Sequence, residues 1–140
     1  MSKDYQLLPG GKKEGEAILK TLIDYNKTFV DLPDSEPNEL IFAIKDKQGK
    51  FIGGIQGEYF WGILYIKLFA LEKEYYGQKL GSVLLEHLEK AAKAKGCYMV
   101  YLDTFDFQAK DFYLKHHYEV FGVLDDCPPG HKRYFFTKKI

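Results

Sequence analysis

The sequence predicts an α/β fold of the α+β kind, built on a mixed, mostly antiparallel sheet, and three patterns point there. Apolar residues alternate through 40–45 and 51–59 on either side of Asp46-Lys47-Gln48-Gly49-Lys50, which reads as a hairpin. A third strand from Leu64 to Leu71, reached through a turn near Trp61-Gly62, extends the hairpin into an antiparallel meander. A helical stripe, Leu84, Leu85, Leu88, Ala91 and Ala92, then separates that strand from another over 98–104. Strand, helix and strand in this order make a crossover, which by the handedness rule is right-handed and leaves the two strands parallel.

The remaining elements follow in chain order. Residues 5–8 are expected to form a short first strand, closed by Pro9-Gly10-Gly11. Ala17, Ile18, Leu22, Tyr25 and Phe29 recur at helical spacing and predict a first amphipathic helix. Asp31-Leu32-Pro33-Asp34-Ser35-Glu36-Pro37-Asn38 is an acidic, proline-interrupted loop. In the crossover helix, Glu86 with Lys90 and Glu89 with Lys93 are placed to pair four residues apart, and Gly96 is a C-terminal cap. A short helix over 108–116, strands over 118–124 and 132–138, and a tight turn at Cys127-Pro128-Pro129-Gly130 complete the reading.

Length and charge limit the function. The 140 residues suit one domain, 1–140, without internal repeats. Lys plus Arg equals Asp plus Glu at 20 each, so the net field calls for neither nucleic acid nor an anionic membrane as partner. No apolar run is long enough to cross a bilayer and no secretory leader is visible, so a cytoplasmic location is expected. Cys97 and Cys127 stand without a CxxC and read as free thiols. His87, His116 and His117 lack the spaced partners of a metal site, and no metal is expected. Arg133 is the only arginine. It reads as part of a solvated cluster with His131 and Lys132, with binding of a substrate anion as the other reading.

Chemistry concentrates between Leu64 and Ile140. The turn Tyr76-Gly77-Gln78-Lys79-Leu80-Gly81-Ser82 links a strand to a helix, where unpaired backbone N–H groups and the positive end of the macrodipole favour an anion. Lys79 has two readings: its Cβ would crowd a diphosphate, whereas its ammonium would pair with one. Downstream, Gln108-Ala109-Lys110-Asp111-Phe112-Tyr113-Leu114-Lys115-His116-His117-Tyr118 places Ala109, Phe112, Tyr113 and His116 on one face of a short helix. Core packing is the alternative role for Tyr113 there.

These segments, with Leu102-Asp103-Thr104-Phe105 and Pro128-Pro129-Gly130-His131-Lys132-Arg133-Tyr134, resemble the GNAT superfamily of N-acetyltransferases, in particular one bacterial branch of small members. The resemblance covers essentially the whole chain and is strongest from Leu64 onward. It implies six to seven strands with a splayed parallel central pair, flanked by about four helices. It also implies acetyl-CoA, or coenzyme A, as cosubstrate, with the donor strand holding the pantetheine arm and thioester through the main chain of Phe69, Ala70 and Leu71. Tyr76, Gly77, Gln78, Lys79, Leu80, Gly81 and Ser82 would receive the diphosphate, and Tyr113 would stabilise or protonate the departing thiolate.

The chain departs from the family at four positions. Tyr76 replaces the usual Gln or Arg, Lys79 the first glycine of the turn, His117 the glycine after the short helix, and Asp106 a common asparagine. The activity implied is transfer of acetyl to a primary amine by direct attack in a ternary complex. A coenzyme A-binding sensor or interaction module without turnover is the alternative, which Tyr76 and Lys79 favour and Tyr113 disfavours. The acceptor is a small-molecule or peptide amine, and a homodimer stays open. For the general base the sequence offers Glu58, Asp103, His116 and His117 by type alone. Tyr59, Trp61 and Tyr65 serve either to wall the acceptor pocket or to pack.

Overall fold

The computed structural model describes residues 4–140. One six-stranded sheet runs in the order β1-β2-β3-β4-β6-β5, with β1 Asn38–Lys45, β2 Phe51–Phe60, β3 Ile63–Leu71, β4 Met99–Phe105, β5 Glu119–Asp125 and β6 Lys132–Lys139. Only β3 and β4 are parallel. The helices among the described residues are α1 Lys12–Asn26, α2 Leu80–Ala94 and α3 Lys110–Lys115, with one 3₁₀ turn at Lys73–Tyr75.

One expectation fails here. Residues 5–10 form no strand: the segment pairs with neither open edge of the sheet, β1 or β5, and Leu7 and Leu8 lie exposed. Among the described residues three helices and the 3₁₀ turn flank the sheet, in line with the expected fold class.

The core fills one face of the sheet. Leu64 and Ile66 of β3, Val100 and Leu102 of β4, and Phe136 of β6 are buried against Leu84, Leu85, Leu88 and Ala92 of α2. Each such side chain contributes about 1.5–3 kcal/mol through burial. Glu89 on the same helix ignores the expected partner Lys93. It accepts hydrogen bonds from Tyr118 Oη at 2.6 Å and Lys138 Nζ at 3.0 Å, which fastens α2 to the far side of the sheet. The expected Glu86–Lys90 pair is likewise not formed. A surface pair at that spacing is worth only a few tenths of a kcal/mol, too little to hold two long side chains.

The opposite face carries Glu58, Tyr65, Tyr101, Asp103, Arg133 and Phe135, paired across neighbouring strands. Neither α2 nor α3 covers it.

The irregularity that shapes the molecule lies in β3. Gln56 of β2 faces Leu68 while the next residue, Gly57, faces Ile66, so Lys67 is an extra residue, a β-bulge. Its effect shows in burial. Before the bulge Leu64 and Ile66 face the core, and after it Phe69 and Leu71 do, so the alternation slips by one. Pairing between β3 and β4 ends at the same place, with Ile66 opposite Leu102. A bulge bends its strand and increases local twist, which turns the last part of β3 away from β4.

Deleting Lys67 should therefore restore regular pairing while leaving every apolar side chain on its present face. The ion pairs lost, to Glu58 at 3.4 Å and Glu39 at 3.7 Å, are half-exposed and worth no more than about 1 kcal/mol. The expected result is a folded protein whose coenzyme A affinity, measured calorimetrically, falls at least tenfold because the strands close. A folded deletion variant that binds as tightly as wild type would show that the bulge does not hold the strands apart.

Candidate active site

Beyond Ile66 and Leu102 the two parallel strands diverge around a cleft of about 630 Å³. Its lining draws on both faces of the sheet, with Lys67, Leu68, Ala70 and Asp103 from one and Phe69, Leu71, Thr104 and Tyr113 from the other. On its other edge β3 remains bonded to β2 as far as Leu71. The main-chain groups of 68–71 that point toward β4 therefore have no strand partner, and an extended chain bearing amides can pair with them as an added strand would.

The turn into α2 sits beside this strand. Tyr76 and Gly81 line the cleft, whereas Gly77, Gln78, Lys79, Leu80 and Ser82 form the adjoining turn and first helical residues. The first N–H in α2 with an intrahelical acceptor is that of Val83, bonded to Lys79 O at 3.2 Å. The amides of Leu80, Gly81 and Ser82 are accordingly free for an anion. Ser82 Oγ lies 2.8 Å from His116 Nε2, so the end of α3 meets the start of α2 at this point.

Two family departures acquire a physical meaning. Lys79 has φ +63° and ψ +14°, and His117 has φ +70°. Both occupy the left-handed region that glycine enters freely and other residues enter at a cost of about 1–2 kcal/mol. At position 117 the substituting residue itself takes the glycine's conformation, and the helix exit is not rerouted.

Tyr113 is buried on α3, with ring centroids 5.6 Å from Phe136, 5.7 Å from Tyr118 and 6.5 Å from Phe69. Four aromatic neighbours fix the ring, Phe112 being the fourth at 5.3 Å. Its hydroxyl makes no hydrogen bond among the described residues. Burial, and next the charge of Asp103, push its pKa up to about 12, so the phenol keeps its proton at neutral pH.

Residues that sequence reasoning named only by type separate in space. Asp103 lines the cleft, but its oxygens are engaged: Oδ1 accepts from Tyr65 Oη at 2.8 Å, and Oδ2 from Arg133 Nε at 2.8 Å and from the Arg133 guanidinium's Nη2. Arg133 is thus the partner of a cleft carboxylate, which corrects its reading as part of a solvated cluster. Tyr65, stacked on Tyr101 at 4.8 Å, has its own pKa raised to about 12 by burial and the Asp103 hydrogen bond. Glu58 shares Lys67 with Glu39 on the open face. His116 is turned toward Ser82, and His117 lies in the turn after α3.

Tyr59 is buried on the α2 side, and Trp61 occupies the β2–β3 turn, so of the three aromatics only Tyr65 stands near the cleft. Asp106, which replaces an asparagine, accepts from Lys132 N–H at 2.9 Å and contacts His131 Nδ1 at 2.8 Å, pinning the start of β6.

Two features were missed in the sequence. One is the Lys67 bulge, signalled by the slip of the apolar positions from 64 and 66 to 69 and 71. The other is Gln108, whose Oε1 accepts from Thr104 Oγ1 and Phe105 N–H, both at 2.9 Å, and so caps the diverging end of β4; no local pattern marks it.

Comparison with known proteins bears on this geometry. The acetyltransferase (GNAT) family profile matches residues 11–118. A blasticidin-S acetyltransferase of Streptomyces morookaense is 30% identical over 67% of this chain and 70% of its own length. An acetyltransferase of Bacillus cereus ATCC 14579 superposes with a TM-score of 0.88 at 34% identity, covering 97% of this chain and 98% of that one. An aminoglycoside 6′-N-acetyltransferase solved with coenzyme A shares the fold, with a TM-score of 0.65 at 15% identity over 96% of this chain and 97% of that one.

Gly81 offers a clean test of the turn. A Cβ added there would lie 3.4 Å from the Phe112 ring, an ordinary contact, so Gly81→Ala should fold and even gain about 0.5–1 kcal/mol as a helical residue. Its expected effect is a Tm at or above wild type with coenzyme A affinity at least fivefold weaker. Unchanged affinity would remove Gly81 from the contact. Lys79→Gly relieves the left-handed strain but loosens the unfolded chain, so its net stability change should stay within about 1 kcal/mol. If the ammonium meets phosphate, that variant loses affinity together with salt sensitivity; tighter binding would instead show that Lys79 is only tolerated.

Proposed function

The chain belongs to the acetyltransferase (GNAT) family and uses acetyl-CoA as acetyl donor to an amine, and from that premise we propose how its residues divide the work. The pantetheine arm lies along the free edge of Phe69, Ala70 and Leu71, and the diphosphate sits on the amides at the start of α2, within the turn Tyr76, Gly77, Gln78, Lys79, Leu80, Gly81 and Ser82. The thioester then projects into the split, beside Tyr113. All 140 residues act as one catalytic unit.

The observation that carries this reading is a buried, protonated phenol, unbonded within the described residues, in a cleft whose strand edge is also free. An amine attacks the thioester carbonyl directly in a ternary complex, and the tetrahedral intermediate collapses by expelling the coenzyme A thiolate. Tyr113 Oη donates its proton, or a hydrogen bond, to that sulfur. A main-chain N–H of the 69–71 edge receives the developing oxyanion.

The amine arrives from the open face. Two carboxylates, Glu58 and Glu39, share the single ammonium of Lys67 there, which leaves a net negative charge that draws a cationic acceptor. Asp103, held by Arg133 and Tyr65, is a fixed wall of the cleft. Glu58 is therefore the better candidate for taking the amine's proton, directly or through water. A small-molecule amine is the acceptor class that fits, in keeping with the substrate named for the Streptomyces relative. Among the described residues no helix is long and apolar enough to cross a membrane. Free cysteines and a metabolite donor suit a cytoplasmic protein.

Tyr113→Phe keeps the ring's packing, so Tm and coenzyme A affinity should be unchanged while kcat falls on the order of 10²-fold, the lower end for a general acid because a thiolate leaves readily. With the phenol pKa near 12, the wild-type rate should rise with pH as the acceptor amine deprotonates, and show no alkaline fall up to pH 10. Wild-type kcat in folded Tyr113→Phe would return this residue to core packing.

A further inference from the structure

The described residues present two bare apolar surfaces. Helix α1 is amphipathic, yet none of its residues is buried; Ile18 is 68% exposed and Tyr25 61%. Ala17, Ile18, Thr21, Leu22 and Tyr25 form one continuous trough along it. A 15-residue helix is marginal in water and normally depends on packing its apolar stripe. The second surface is the sheet face away from α2, where Leu68 is 65% and Phe121 59% exposed around Tyr101 and Phe135.

The accessible surface measures how much is left uncovered. A compact monomer of 16.3 kDa exposes about 7,500 Å² by the usual scaling. This chain exposes 10307 Å². The excess, roughly 2,800 Å², is more than three times the ~800 Å² each partner buries in a standard interface; doubled over two copies, at about 5,600 Å², it lies at the upper end of what obligate dimers bury. A linker of eleven residues, 27–37, carrying Pro33 and Pro37, separates α1 from β1; Asp34 O accepts from Trp61 N–H at 2.9 Å, so residues 27–33 span the distance between that tether and the helix.

We propose that the protein is an arm-exchanged homodimer, in which α1 of each copy lies across the open sheet face of the other. Both complementary surfaces occur on one chain, so a two-fold arrangement buries both at once without any other partner. The exchanged helix also roofs the face from which the acceptor approaches, so each active site is walled by the second copy. The dimer itself does not depend on the acetyl-transfer reading and stands or falls separately.

Light scattering after size exclusion should give twice the 16.3 kDa chain mass at micromolar concentration. Cross-linking an equal mixture of ¹⁴N- and ¹⁵N-labelled protein, after unfolding and refolding together, should join Lys12, Lys13 or Lys20 of α1 to Lys67 or Lys139 of the sheet in mixed-isotope pairs. The double variant Ile18→Glu/Leu22→Glu should be monomeric, with a cooperative thermal unfolding transition as its folding control. A monomeric wild type, helix-to-sheet links of one isotope only, or a variant that still dimerises would each overturn the proposal.

Discussion

A single extra residue in a central strand governs this molecule. Lys67 is unpaired in the register of β3 with β2, and pairing of β3 with β4 stops one residue before it. At this bulge β3 bends, the two strands part after Ile66 and Leu102, and an edge of unpaired main chain is held open in the middle of the protein. Main-chain groups of that kind are left to water until an extended, amide-bearing ligand bonds them as an added strand would. The rest of the structure keeps the split from collapsing. Gln108 caps the parted end of β4, and Arg133 and Tyr65 fix Asp103 in its wall.

The same geometry divides labour between the two faces of the sheet. On the α2 side a dense aromatic set, Phe69, Phe112, Tyr118 and Phe136, surrounds Tyr113 and excludes water from its ring. A phenol in that setting cannot ionise near neutral pH and so serves as a donor only. On the other face charge is plentiful and accessible, which suits recognition of a cationic amine. The cleft passes from one environment to the other, which suits the proposed transfer of an acetyl group across it.

Much of this was legible in the chain. The meander, the crossover and the glycine-bearing turn announce themselves through local patterns of period 2, period 3.6 and turn chemistry, and these set the site's position. Phe69, Ala70, Leu71, Tyr76, Gly81 and Tyr113, all named from the family resemblance, line one cleft. What was illegible depends on contacts distant in sequence. Arg133 and Asp103 are thirty residues apart, and Glu89 reaches Lys138 across forty-nine. The expected first strand over 5–8 failed because a segment's own residues do not say whether an edge strand will take it up, and here neither β1 nor β5 does. Lys79 and His117 read as losses of glycine, whereas the backbone shows both residues holding the glycine conformation at some strain.

The most direct test is the position of the bound donor. In a crystal structure with coenzyme A, the sulfur should lie within about 3.5 Å of Tyr113 Oη, the pantetheine amides should bond the main chain of 69–71, and the diphosphate should rest on the amides at the start of α2. A coenzyme A molecule bound with its sulfur outside the β3–β4 split, or with Tyr113 turned away from it, would contradict the account.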